Sequence, residues 1–189
     1  MSDLSLQLQQ ASGQLPVSSY FDEALYQREL KQVFQPGPRY LGHRLSVPEL
    51  GDYATLAQEA QGRALVHTSS GVELISNVCR HRQALMLHGR GSLNMTHPGA
   101  AAGNIVCPLH RWTYSGSNAA TSAGRLLGAP HFASDPCLNL NNYPLREWNG
   151  LLFEDNGRDI DADLAGMGPR AELDFSGFVF DKVELHECR

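Results

Sequence analysis

Apolar positions fall into two textures along this chain. Residues 1–17 are polar and rich in Gln and Ser, and read as a loose arm. Phe21, Leu25, Leu30 and Phe34 then recur at near-helical spacing, which predicts an amphipathic helix over residues 19–35. Ser19, with Asp22 three residues on, resembles its cap, and Pro36-Gly37-Pro38 supplies its stop. Beyond it the apolar runs shorten and are punctuated by Gly, Pro, Asn and Asp. They predict strands at Arg39–Ser46, Tyr53–Ala57, Ala64–His67 and Val72–Ser76, the last two joined by a turn at Thr68-Ser69-Ser70-Gly71. Further strands are expected at Asn104–Val106, Trp112–Tyr114 and Leu126–Gly128. A late hairpin pairs Leu145–Trp148 with Leu151–Glu154 through Asn149-Gly150, a dipeptide that tolerates the positive φ of a type I′ turn. Residues 156–171, rich in Gly and Asp, read as a linker, and Gly177–Glu184 as one more strand. Eight or more short strands with turn signals predict a mainly β, antiparallel domain.

Composition narrows the possibilities. At 189 residues and 42% apolar content the chain can bury a core, so wholesale disorder is excluded. No stretch approaches the roughly 20 apolar residues of a membrane span, and the polar start carries no secretory signal, so a cytoplasmic chain is expected. Net charge is −5, and Arg80, Arg82, Arg90 and Arg111 are the nearest thing to a basic cluster. Neither nucleic acid nor membrane is an expected partner.

In a reducing compartment the four cysteines are candidates for metal ligands, catalytic groups or core thiols rather than disulfides. Two of them open short motifs: Cys79-Arg80-His81 and Cys107-Pro108-Leu109-His110, with 25 residues between His81 and Cys107. Each motif follows a predicted strand, where a hairpin loop would begin. Common Cys₂His₂ zinc modules group Cys with Cys and His with His. Here each loop offers one of each, which suits a [2Fe–2S] cluster whose irons are held by two Cys and by two His, the ligation of Rieske centres. A structural zinc site is the bland alternative, and metal analysis separates the two.

The pair of motifs, followed by Trp112-Thr113-Tyr114, resembles a Rieske iron–sulfur domain, and more narrowly the N-terminal Rieske domain of a ring-hydroxylating oxygenase α subunit. Cys79-Arg80-His81-Arg82 is similar to that family's C-R-H-R-G, with Gln83 where Gly is usual. Cys107 to Tyr114 resembles C-P-Y-H-x-W-x-Y. Gly124 to Phe132 resembles the strand and turn that follow, and Tyr143 to Phe153 the closing hairpin. The resemblance runs over roughly residues 18–189. Met95–Gly103 and Gly116–Ala123 look like insertions in loops, where extra length costs little.

The resemblance implies a Rieske-type antiparallel β-sandwich with a cluster-binding subdomain of two hairpin loops, plus an N-terminal α-helix. It implies an arm and helix over 1–38, the Rieske domain over 39–156, and over 157–189 a linker and the first strand of a truncated catalytic domain. Cys79, His81, Cys107 and His110 would bind the [2Fe–2S] cluster, both His through Nδ1, and Trp112 and Tyr114 would shield it. Respiratory Rieske proteins brace their loops with a disulfide, where this chain has Ala84 and Leu109, and carry a hydroxyl where it has Trp112. Fewer hydrogen bonds to cluster sulfur imply a potential near the low end of the Rieske range, about −150 mV, and the ligand imidazoles would make that potential depend on pH. His43, His67, His88, His97, His131 and His186 lack ligand spacing, and Cys137 and Cys188 read as inert thiols.

The family's catalytic domain marks its mononuclear iron with an acidic residue and two His, and no such pattern occurs here. By resemblance the chain is a piece of an oxidoreductase that moves single electrons without activating dioxygen itself. A ferredoxin or flavin reductase would be the donor and an oxygenase catalytic domain the acceptor. A free-standing Rieske ferredoxin is the alternative.

Overall fold

The computed structural model describes residues 15–95, 102–118, 122–133, 135–165, 171–175 and 177–182. It divides into two compact units, residues 1–37 and 38–189. In the first, a 3-10 turn (Val17–Tyr20) is followed by helix α1 (Glu23–Glu29) and a π-helical turn (Leu30–Phe34). The single helix expected over 19–35 is therefore broken. Asp22 rather than Ser19 is its cap, the carboxylate accepting from the N–H groups of Ala24 and Leu25 at 2.9 and 3.1 Å. At the far end Gln35 N–H reaches back to Leu30 O at 2.8 Å, the wider bond that defines a π turn. No residue of these turns is buried.

The second unit is built from strands β1 (Arg39–His43), β2 (Asp52–Thr55), β3 (Arg63–Thr68), β4 (Gly71–Ser76), β5 (Arg90–Ser92), β6 (Ile105–Val106), β7 (Thr113–Tyr114), β8 (Leu126–Gly128), β9 (Asn142–Tyr143), β10 (Leu145–Trp148) and β11 (Leu151–Glu154). Every pairing is antiparallel. The sheets run β1-β11-β10, β5-β2-β3-β4-β9 and β6-β7-β8.

The five-stranded sheet is apolar on both faces. Successive side chains of a strand point to opposite sides. Ala64 and Val66 of β3 enter one core with Ile75 of β4, and Leu65 and Leu74 enter the other. The register Ala64↔Ile75 and Leu65↔Leu74 keeps each pair on its own side. One core joins this sheet to Leu41 of β1 and Leu152 of β11 and makes the sandwich. The other joins it to Ile105, Tyr114 and Leu126 of the small third sheet, and to Cys79, Cys107 and Trp112.

Two turns follow the expected chemistry. Asn149 and Gly150 take φ of 48° and 80°, and a Cβ on Gly150 would lie 2.6 Å from the His43 ring, so glycine is required there twice over. Thr68 and Gly71 close the β3–β4 hairpin. Elsewhere the boundaries move. Arg44–Ser46, expected as strand, is a 3-10 turn, held by His43 Nδ1 accepting from Leu45 N–H at 3.1 Å. Within the expected linker, Ile160–Ala165 forms helix α2, because Asp159 accepts from Ala162 N–H and Ile160 is buried. No strand is formed over 177–182, and Val183 and Glu184 lie outside the described residues.

The stems of the two expected insertions touch. Ser117 N–H bonds Gly103 O at 2.9 Å and Asn118 Nδ2 bonds Ala102 O at 2.8 Å. A side chain on Gly116 would collide with the Gly103 carbonyl. Residues 96–101 and 119–121 lie outside the described residues. Among the described residues no helix is long and apolar enough to cross a membrane.

Candidate metal centre

The two motifs sit in loops with the same backbone wiring. In the first, Cys79 N–H bonds Ala84 O at 2.9 Å and Gln83 N–H bonds Cys79 O at 3.0 Å. In the second, Cys107 N–H bonds Trp112 O at 2.8 Å and Arg111 N–H bonds Cys107 O at 3.0 Å. The fourth residue after each cysteine turns the chain through left-handed space, Gln83 at φ 56° and Arg111 at φ 58°. Glycine's freedom in that region explains why the resembled motif has Gly where this chain has Gln83.

Each loop is anchored at its base. The second springs from the β6–β7 pair, Val106 opposite Thr113. The first is closed by the Val78↔Leu85 bridge and by Asn77. Asn77 is fully buried, and its amide donates to Leu87 O and Gln61 O at 2.8 Å while its oxygen accepts from Leu87 N–H at 2.8 Å. A buried amide satisfied on both ends fixes the loop to the sheet. Sequence reading missed this residue. Its only signal was a polar side chain where the apolar run of β4 gives way to Val78.

The loops bring like with like. Cys79 and Cys107 are buried free thiols of one core, near enough for Cys79 to raise the Cys107 thiol. His81 and His110 meet edge to face with ring centroids 4.8 Å apart. The Trp112 indole lies flat on His81 at 4.9 Å and 6° between planes, and the Phe132 edge meets both rings at 5.4 and 5.1 Å. Tyr114, fully buried, places its hydroxyl 3.5 Å from Cys79 Sγ, where it accepts from Arg80 N–H at 3.1 Å. Phe132 contributes a contact that its place in a turn did not signal.

Electrostatics follow burial. Desolvation raises the Cys107 thiol, against the pull of the Leu109 and His110 N–H groups aimed at its sulfur. Burial first, and then the Cys79 contact, raises the Tyr114 hydroxyl and keeps it protonated. Desolvation, then the neighbouring His110 and Arg82 charges, holds the His81 imidazole below the usual histidine range. Its Nδ1 is buried and has no hydrogen-bond partner. A buried ring nitrogen left without a partner, in a ring packed against a second histidine, fits a metal ligand, and a neutral imidazole is the form that ligates.

Among the described residues no three His, Cys, Asp or Glu side chains converge as a single-ion site. Tetrahedral zinc needs four donors on one ion. Two buried thiols and, apart from them, a pair of imidazoles match donors divided between two irons. The other described histidines stand apart from this pair. His67 Nδ1 bonds Val47 O at 2.8 Å, His43 caps its turn through Nδ1 while its Nε2 is buried without a partner, and His88 and His131 face solvent. Cys137 is exposed and apart from the paired thiols. His97, His186 and Cys188 lie outside the described residues.

Residues 40–144 match the family model of the Rieske [2Fe-2S] domain. This chain belongs to the Rieske [2Fe–2S] domain family. It is 56% identical to a putrescine 2-hydroxylase from Ralstonia nicotianae, over 100% of this chain and 48% of that protein. It is 30% identical to a benzene 1,2-dioxygenase subunit alpha from Pseudomonas putida, over 86% of this chain and 35% of that one. Naphthalene 1,2-dioxygenase with indole bound shares the Rieske fold at 25% identity and TM-score 0.55, over 76% of this chain and 32% of that one. The apo form of the quaternary ammonium Rieske monooxygenase CntA shares the fold at 20% identity and TM-score 0.60, over 82% of this chain and 43% of that one. The chain spans less than half the length of these relatives. Homology to ring-hydroxylating oxygenase α subunits and to putrescine 2-hydroxylase, together with the antiparallel architecture, bears out the fold that the motifs implied. The cofactor of a Rieske domain is a Rieske-type [2Fe–2S] cluster.

Proposed function

We propose that this chain is the one-electron transfer domain of a Rieske oxygenase, with Cys79 and Cys107 on one iron and His81 and His110 on the other. The pairing of His81 with His110 across two loops of the same wiring, each loop also carrying a buried free thiol, supports this reading. When bound, the cluster accepts and releases one electron at a time.

The chain's own residues prepare the site. Cys79 and Cys107 give up their protons on loading, so assembly releases protons, more reluctantly where burial has raised the thiol. Leu109 and His110 N–H groups and the Tyr114 hydroxyl hold the two sulfurs in place. Trp112 covers one face of His81 and keeps water from it. The positive-φ turns at Gln83 and Arg111 close each loop back onto its own cysteine just after the histidine.

On this reading a ferredoxin or flavin reductase supplies electrons, and a catalytic domain such as the relatives' greater length provides receives them. Relatives named for putrescine hydroxylation stand at 56% and 52% identity, and a benzene dioxygenase at 30%. An aliphatic amine is therefore favoured over an aromatic ring as the substrate of the parent oxygenase.

The test is iron and acid-labile sulfide on anaerobically purified protein, with visible spectra before and after dithionite. Two irons and two sulfides per chain with a reducible band are expected. One zinc without sulfide, reproduced after reconstitution with iron, overturns the proposal.

A further inference from the structure

Residues 177–182 follow the sheets in sequence but form no strand. Side chains tie the segment to the domain instead. Phe178 and Val179 face solvent, 62% and 87% exposed, while Phe180 is half-buried. The Arg90 guanidinium lies over the Phe180 ring, its carbon 3.5 Å from the centroid. At the start of the segment Phe178 N–H bonds Phe175 O at 3.0 Å. The Phe175 ring meets the rings of Phe178 and His43 edge to face, at 5.6 and 5.1 Å.

Phe180 and Arg90 border a cavity of about 810 Å³. Leu41, Ala54, Leu56 and Leu65 line it too, and all four belong to the core that makes the sandwich. That core is therefore open on one side, and the segment lies at the opening. Arg90 joins three parts of the chain there. It stands on β5, its Nε donates to Ser46 O at 3.0 Å with a second N–H on the same carbonyl, and its face takes the Phe180 ring. A guanidinium bonded along its edge and stacked on its face is fixed in direction as well as place.

We infer that residues 177–182 are a strap across the open side of this core, that Arg90 is its latch, and that the strap lifts as a unit while the sheets stay folded. A surface segment outside every strand ladder belongs to the part of a structure that opens at least cost. Lifting it bares Leu41, Ala54, Leu56 and Leu65. It leaves alone the core of Cys79 and Cys107, which lies on the other side of the five-stranded sheet. The strap is thus independent of the cluster proposed above.

The test is trypsin digestion of the full chain under native conditions, with each cut timed by mass spectrometry. Lys182 is exposed, but a protease must take several residues on either side of it into its cleft, so cleavage after Lys182 reports the lifted strap. Cleavage after Arg63, inside β3, reports unfolding of the sheets. Phe180→Ala is expected to speed the first cut about tenfold and to leave the second within about twofold of wild type. Arg90→Gln is expected to do the same, and the two together little more than either, since both break one contact. Val179→Ala, at a side chain in solvent, is expected to change neither cut. If Arg90→Gln loosens the sheets as well, Phe180→Ala alone decides. A Phe180→Ala protein cut after Lys182 at the wild-type rate overturns the strap, and one in which both cuts speed up alike overturns its lifting as a unit. Effects of Arg90→Gln and Phe180→Ala that multiply in full overturn the latch.

Discussion

Gln83 and Arg111 hold the same backbone place in two different loops, each four residues after a cysteine, each donating to that cysteine's carbonyl, and each at a φ near +57°. The loops differ in sequence and in ligand spacing, with His at the second position after one cysteine and the third after the other. The shared wiring is what lets two unlike motifs face each other as a pair.

A side chain with a Cβ pays about 1 kcal/mol for that conformation, and glycine's greater freedom in the unfolded chain offsets part of the difference. Gln83→Gly is expected to stabilise the loaded protein by about 0.5 kcal/mol, and Gln83→Val to destabilise it by about 1–2 kcal/mol. Urea unfolding of the three proteins checks this. A valine variant as stable as wild type would show that the turn is not confined to left-handed space.

Asn77→Ala removes an amide that satisfies Leu87 N–H, Leu87 O and Gln61 O in a fully buried place. A stability loss of about 2–4 kcal/mol is expected, with weakened retention of iron because the first loop loses its base. Denaturant midpoints and iron content measured together test the link. Full stability would contradict it.

Tyr114→Phe deletes the hydroxyl 3.5 Å from Cys79 Sγ. Hydrogen bonds to ligand sulfur favour the reduced state. A bond worth about 1 kcal/mol corresponds to roughly 40 mV for one electron, so the reduction potential is expected to fall by about that much. Potentiometric titration of both proteins reads it, and an unchanged or higher potential would assign the hydroxyl to Arg80 N–H alone.

Glu59 sits among cations. Its bond to Arg63, and then the Arg63 and Arg39 charges, hold its carboxyl below the usual range against the opposing effect of burial. Arg63 also reaches Glu154 at 2.8 Å and lies over the Tyr143 ring. Because the folded value is depressed, the contribution to stability is present above the unfolded carboxyl range, near pH 4.5, and is lost as pH falls through the folded value. Glu59→Gln is expected to cost about 1–3 kcal/mol near neutrality and to flatten the acid side of the stability profile. Parallel acid limbs for the two proteins would be inconsistent with this.

The sequence was most legible where apolar alternation was long and turns carried their own chemistry. The β3–β4 hairpin and the Asn149-Gly150 turn are of that kind. It was least legible where a strand contributes no apolar side chain. Arg90–Ser92 pairs with β2 although the apolar pattern predicts no strand there, and Tyr53 lies across Gly91 where a Cβ would sit 2.6 Å from its hydroxyl. Strand β9 is two residues long, too short for any period. The break at Phe21–Asp22 escaped because helical spacing continues through it, and only the competing cap at Asp22 tells the two apart. In the candidate centre, the adjacency of the two motifs could be read from their composition. The roles of Asn77 and Phe132 could not, since both depend on contacts across the fold.

With Leu65 turned to one core and Ala64 and Val66 to the other, β3 has no idle face. Any change along its middle is felt by one core or the other, so the sheet cannot be adapted piecemeal to a new partner. In the loops beyond the strands, Arg80, Leu109 and Arg111 are exposed while Cys79 and Cys107 are buried in a core. The division between what can drift and what cannot therefore runs through each loop, between the side chains that face solvent and the thiols that do not.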